Sequence, residues 1–168
     1  GTVLDTSRLK YLISKHTGID ARYCHTYIIG EHGDSEVAAW SITNIAGMSM
    51  KSFFEHYGKC TDEDLQAMYN EVKNSAYEII QKKGATYYAI ATAVAIVECI
   101  SGGENSVLTI SSVLNGEYGI EDISLSVPTQ VSGYGVERIL DVPFNEIELQ
   151  GLRSSAKTLK DSLKSIGF

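Results

Sequence analysis

Ser106-Val107-Leu108-Thr109-Ile110-Ser111-Ser112-Val113-Leu114, then Asn115-Gly116-Glu117-Tyr118-Gly119, then Ile123-Ser124-Leu125-Ser126-Val127-Pro128-Thr129-Gln130-Val131 decides the fold class. Two runs rich in β-branched residues flank an Asn-Gly turn signal, so they read as antiparallel strands of one hairpin. Pro128 has no N–H for a ladder, which predicts an edge or an irregularity there. Gly133-Tyr134-Gly135 turns the chain into a third strand over 136–142, and Pro143 ends it. A final helix opens at Asn145, with Ile147, Leu152, Leu159, Leu163 and Ile166 expected on its inner side.

Upstream the pattern is mostly helical. Asp5 is a good N-cap for a first helix carrying Leu9, Leu12 and Ile13, and Gly18 stops it. Residues 22–29 alternate loosely and read as a strand. Val37 to Ile42 reads as a short buried segment, with Trp40 its structural anchor, and 47–58 as a connector with one helical turn near Phe53. Thr61-Asp62-Glu63-Asp64 opens a long helix with the stripe Leu65, Met68, Val72, Ala76, Ile79 and Ile80, broken at Gly84. Residues 85–101 form a second helix that is apolar nearly all round, which predicts burial in this domain or against a partner. Helix, strand, helices, antiparallel strands, helix makes an α+β fold, with helices packed on an antiparallel sheet, and not a doubly wound α/β sheet.

The chain of 168 residues suits one domain, 1–168. Its net charge of −7, without a Lys/Arg block, argues against nucleic acid and anionic membrane as partners. The longest apolar stretch, 89–100, is interrupted by Thr92 and Glu98 and is too short to span a bilayer. Cys24, Cys60 and Cys99 are scattered and odd in number, which predicts reduced thiols and a cytoplasmic location. The first residue is Gly1 and not Met, so the expectation is a piece of a longer protein.

The chemistry centres on Gly30-Glu31-His32-Gly33-Asp34-Ser35, directly after the apolar run Tyr27-Ile28-Ile29. A histidine on a loop at a strand end is well placed for catalysis, though a polar hairpin with an incidental histidine has the same pattern. Asp5 and Arg8, three apart, share one helical face, a spacing equally common in surface ion pairs. A carboxylate orients a general acid–base histidine, and a guanidinium grips a carboxylate through two parallel hydrogen bonds. His32, Asp5 and Arg8 around one cavity suit a small acid with a neighbouring hydroxyl or keto oxygen. The remaining redox half is a hydride, which needs a cofactor. A Ser35–His32–Asp5 hydrolase is disfavoured because there is no GxSxG elbow. His25 and His32, with Glu31 and Asp34, match no standard zinc spacing, so no metal is expected. There is neither GxGxxG nor GxxxxGK[ST], so the expected hydride carrier has no binding motif in this chain.

Leu4-Asp5-Thr6-Ser7-Arg8, Gly30 to Ser35, Lys83-Gly84-Ala85-Thr86 and Tyr118-Gly119-Ile120 together closely resemble the C-terminal, substrate-binding half of the L-lactate dehydrogenases, within the lactate/malate dehydrogenase family. The resemblance runs over the whole chain. It implies NAD as cofactor, pyruvate and lactate as substrates, an N-terminal Rossmann domain as partner and a homotetramer. By the same resemblance His32 is the proton donor and acceptor, Asp5 orients it, and Arg8 grips the substrate carboxylate. Thr86 lines the substrate pocket, and Ile90 lies beside the nicotinamide ring. Glu31 favours lactate, since related malate enzymes usually carry Gly there; relatives acting on bulkier 2-hydroxy acids share it. Relatives activated by fructose 1,6-bisphosphate use a basic residue and a histidine that match Lys10 and His25, with Lys10 where Arg is usual. A non-catalytic assembly domain is the alternative from another class, and the apolar helix would suit it.

Overall fold

A computed structural model describes residues 1–58, 60–84 and 89–168. The first helix, α1 (Thr2–Thr17), begins three residues before Asp5, which corrects the N-cap expectation. Asp5 lies inside the first turn on the buried face, beside Thr2 and Thr6, and Gly18 ends the helix in the left-handed region with φ 75°. The strand expected over 22–29 is broken. A 3-10 turn (Ala21–Tyr23) leads to β1 (Cys24–His25) and, after a gap, β2 (Ile28–Ile29). Short strands β3 (Val37–Ala38), β4 (Asn44–Ile45) and β5 (Met48–Ser49) follow, β3 pairing with β2 and β4 lying between β1 and β5.

The expected connector 47–58 holds a real helix, α2 (Met50–Tyr57), because Ser49 Oγ accepts from the Ser52 N–H and Phe53 is buried. The long helix α3 (Asp62–Lys83) opens on a capping box between Thr61 and Asp64 and stops at Gly84. Met68 and Val72 are buried, whereas Ile80 is 51% exposed and lines an open cavity. Within 85–101 the described helix is α4 (Ala89–Ser101). Its only buried residue is Cys99, so its apolar surface faces outward.

The main sheet is the expected antiparallel one: β6 (Ser106–Asn115), β7 (Glu121–Ser132) and β8 (Gly135–Ile139), in the order β6-β7-β8. Pro128 sits in the central strand, not at an edge. Its partner in β6 is Thr109, and its carbonyl accepts from the Leu140 N–H just past the end of β8. The missing N–H therefore falls where the third strand runs out. The last helix, α5 (Glu146–Ser165), has a capping box between Asn145 and Glu148. Its inner face is Leu152, Ser155 and Ala156, whereas Ile147 and Ile166 are 81% and 70% exposed and Leu163 is exposed too. Glu148, buried at the first turn, accepts from the Ser41 N–H, and Leu149 and Leu159 pack against the core, whereas residues 161–165 are all exposed.

Two apolar clusters meet at β2. Ile28 points into the cluster of α1, α2 and α3 residues that includes Leu9, Ile13, Phe53 and Val72. Ile29 points into the cluster around Leu125, Val127 and Leu152. Alternation along an extended strand sends neighbouring side chains to opposite faces, and the chain emerges from between the clusters at Gly30.

Candidate active site

Three elements converge on His32. The Gly30 N–H donates to the Ser126 carbonyl on β7 at 2.7 Å, and the Ser126 N–H donates back at 3.2 Å. Gly30 has φ +92°, and a Cβ there would lie 2.7 Å from Ser155 Oγ. Ser155, fully buried on α5, accepts the Glu31 N–H at 2.6 Å. Ser35 Oγ donates to the Glu31 carboxylate, folding the loop back on itself. On the far side the Tyr77 hydroxyl of α3 donates to Asp34 at 3.3 Å.

The acid arrives on α1, which hydroxyls dock onto the sheet. Thr2 Oγ1 donates to the Thr109 carbonyl at 2.9 Å, Thr6 Oγ1 shares a hydrogen bond with Thr109 Oγ1 at 3.1 Å, and Thr6 Oγ1 also accepts the Ile28 N–H at 2.9 Å. Asp5, on the same face, is then 2.5 Å from His32 Nδ1 through Oδ2. Its Oδ1 accepts from Arg8 Nη1 at 3.2 Å. The Asp5 side chain is 3% exposed and that of His32 48%. With Nδ1 turned to a buried carboxylate, Nε2 is the ring nitrogen available to a ligand. A Cβ on Gly1 would lie 2.2 Å from His32 Cβ, so the ring packs directly on bare backbone at the start of α1.

A cavity of about 240 Å³ opens here, lined by Asp5, Arg8, His32, Glu36, Lys73 and Tyr77 among others. Glu36 had no sequence signal beyond following the motif. It is 5% exposed, and its Oε1 has no hydrogen-bond partner among the described residues. Burial, then the neighbouring Asp5 charge, pushes its carboxyl from 4.5 up to about 8, with Lys73 and Arg8 opposing. Ligand atoms of Asp5, His32 and Glu36 lie within 4.8 Å of one another. That spacing would admit a cation, yet Asp5 already spends one oxygen on His32 Nδ1 and the other on the Arg8 guanidinium.

Among the other expected residues, Ile90, Lys10 and His25 do not line this cavity. Thr86 lies outside the described residues. Ile90 is on α4 and 62% exposed. Lys10, on α1, acts on the Cys24 thiol electrostatically, and His25 is the exposed neighbour of Cys24 on β1, so the two basic residues share one region. Thr2 and Thr6 had a detectable signature, hydroxyls four apart on the buried helix face, and Gly1 had none.

The model of the lactate/malate dehydrogenase alpha/beta C-terminal domain matches residues 2–167. The chain belongs to the lactate/malate dehydrogenase family. An L-lactate dehydrogenase of Acetivibrio thermocellus is 55% identical over 168 residues, covering 99% of this chain and 53% of that protein. A lactate dehydrogenase from a Medee basin deep-sea metagenome library superposes with TM-score 0.95 at 39% identity, over 100% of this chain and 54% of that one. The lactate dehydrogenase of Eimeria maxima, solved with NADH and oxamate, superposes with TM-score 0.92 at 27% identity, over 99% and 52%. This family chain thus spans about half the length of the curated relatives it matches.

Proposed function

We propose that this chain, residues 1–168, is the substrate-binding half of an NAD-dependent L-lactate dehydrogenase whose other half is an N-terminal Rossmann domain. The observation that carries the reading is the Asp5–His32–Arg8 couple: a half-exposed imidazole held by a buried carboxylate, which also holds a guanidinium at the same cavity. Arg8 spends Nη1 on Asp5 and retains donors for the carboxylate of a small 2-oxo or 2-hydroxy acid. His32 Nε2 gives a proton to the keto oxygen of pyruvate, or takes one from the hydroxyl of lactate. Asp5 stabilises the imidazolium and keeps the ring oriented. NAD(H), when bound, supplies or accepts the hydride at the adjacent carbon. The exposed apolar side of α4 at Ile90 suits the face of a nicotinamide ring, and Thr86 completes the pocket by family resemblance. Malate or another L-2-hydroxy acid is the neighbouring reading, with Glu31 favouring lactate. We further infer that Lys10 and His25 form a phosphate site for fructose 1,6-bisphosphate, that α4 serves subunit contact in a homotetramer, and that the enzyme is cytoplasmic.

The test is turnover of pyruvate with NADH by the enzyme carrying both halves. In His32→Asn, kcat should fall by about 10²- to 10⁴-fold, the range for a lost general acid, while NADH affinity stays. Near-normal turnover in that variant, or none in the unmutated enzyme, rules the assignment out. A pure assembly domain predicts the latter.

A further inference from the structure

Glu36 is the one buried carboxyl at the site that the mechanism above leaves without a task. It follows the motif on the short run into β3, where its carbonyl accepts from the Tyr69 hydroxyl of α3, while its side chain turns into the cavity. The groups facing it come from every wall. From α1 there are Asp5 and Arg8, from the motif loop His32 and Asp34, and from α3 Lys73, Tyr69 and Tyr77. One cation, Lys73, stands on the α3 side, and Arg8 is already held by Asp5.

Two ionised carboxylates at this separation would repel strongly in a poorly hydrated pocket. Asp5 is the member already bonded on both oxygens, to His32 Nδ1 and to the Arg8 guanidinium. Glu36 is the member without such partners: it is buried, its Oε1 is unbonded, and a carboxyl oxygen lies within 4.8 Å of Asp5, so it is the one that favours the neutral form. A neutral acid also donates a hydrogen bond, and Asp5 is the acceptor it faces.

We propose that Glu36 is a positioning residue for the Asp5–His32 couple: a neutral acid whose proton faces Asp5, so that the two carboxyl groups present a single negative charge to His32 and Arg8. The proposal rests on the dehydrogenase reading for its effect on rate, though the carboxyl pair itself does not. When Glu36 ionises, a second negative charge faces the anionic substrate and draws on the Arg8 guanidinium. Substrate affinity then falls. Nothing is transferred to substrate from Glu36, and its proton leaves to solvent.

The experiment uses the enzyme with its nucleotide-binding half present, and two readouts. The first is infrared spectroscopy of protonated carboxyl groups. The unmutated enzyme should show an acid C=O band at neutral pH that disappears on titration through about pH 8, and Glu36→Gln should lack it. The second is the pH profile of kcat/KM for pyruvate. Both enzymes lose rate toward alkaline pH because the reaction takes up a proton, and the unmutated enzyme should show an extra alkaline loss, about tenfold for one unpaired charge, that Glu36→Gln does not show. Glu36→Leu, which removes charge and donor together, should also lack that loss but have lower kcat/KM at every pH, with Gln restoring the neutral-pH value. Absence of the acid band, or superposable profiles for the unmutated and Gln enzymes, overturns the proposal. An acid band without any pyruvate turnover supports the carboxyl pair and sinks the dehydrogenase reading instead.

Discussion

At the scale of single residues, Arg8 and Glu36 make opposite demands on the same aspartate. Arg8 reaches Asp5 through one nitrogen, and in the proposed function the rest of its rigid fork holds the substrate carboxylate. Lysine keeps the charge and loses the fork. Arg8→Lys should therefore raise KM for pyruvate by about 10- to 100-fold, the value of a charge-assisted pair of hydrogen bonds, with a smaller effect on kcat. Steady-state kinetics check it, and an unchanged KM would make Arg8 structural. Glu36 affects stability as well as rate. Below pH 4.5 it is protonated folded or unfolded and does not shift the balance. Between 4.5 and about 8 the unfolded chain ionises while the folded one keeps its proton, so stability falls as pH rises, and above about 8 the penalty is constant. The melting temperature of Glu36→Gln relative to the unmutated protein should accordingly rise by about 3 °C or more from pH 5 to pH 8, given 2–4 °C per kcal/mol at this size. Scanning calorimetry at the two pH values reads this directly, and a pH-independent difference contradicts the assigned proton.

At the scale of elements, the motif loop is held from both ends and from above. The Gly30–Ser126 bridge ties it to β7, Ser155 of α5 holds Glu31, and Tyr77 of α3 holds Asp34. Gly30→Ala combines a left-handed φ with a Cβ 2.7 Å from Ser155 Oγ. Strain of that kind costs on the order of 1–3 kcal/mol, so the melting point should drop by roughly 2–12 °C at 2–4 °C per kcal/mol. Turnover should fall too, because the loop that carries His32 must shift. Full activity in a folded Gly30→Ala protein would mean that this anchorage does not set the histidine. Much at this scale was readable beforehand. Helix ends at Gly18 and Gly84, and caps at Thr61 and Asn145, depend on neighbours within a few residues. Where local pattern misled, the cause was distant. Asp5 looks like a cap because capping residues and buried first-turn acids share a composition. Residues 22–29 look like one strand because the break at Thr26-Tyr27 follows from α1 and the short β-hairpins packing against it.

At the scale of the whole molecule, two apolar clusters separated by β2 hold α1 and α3 to one side and the main sheet with α5 to the other. The cavity lies among α1, α3 and the loop between them. Exposed apolar residues lie on α4 at Ile90, Val94 and Val97, on the main sheet at Val107, Val113 and Val136, and at and beyond the end of α5 at Leu163, Ile166 and Phe168. No helix among the described residues is long and apolar enough to cross a membrane. A glycine-rich dinucleotide motif is absent from these 168 residues. The chain expressed alone should therefore not oxidise NADH with pyruvate, and the same chain joined to a dinucleotide-binding domain should do so. Spectrophotometric turnover at the NADH band decides it, and oxidation by the lone chain would contradict the division of labour.

Local order along the chain was enough for the α+β class, the antiparallel hairpin about Asn115-Gly116, the shared face of Asp5 and Arg8, and a histidine loop after an apolar run. Each depends on residues a turn or a strand apart, where backbone geometry and side-chain spacing leave few choices. The approach of Asp5 to His32 across 27 positions, the burial of Glu36 beside them, the Thr2–Thr6–Thr109 dock and the exposure of Ile147 and Ile166 came only with the packed molecule. They depend on which faces meet when two clusters close around β2, and desolvation at that junction has no signature in the order of the residues.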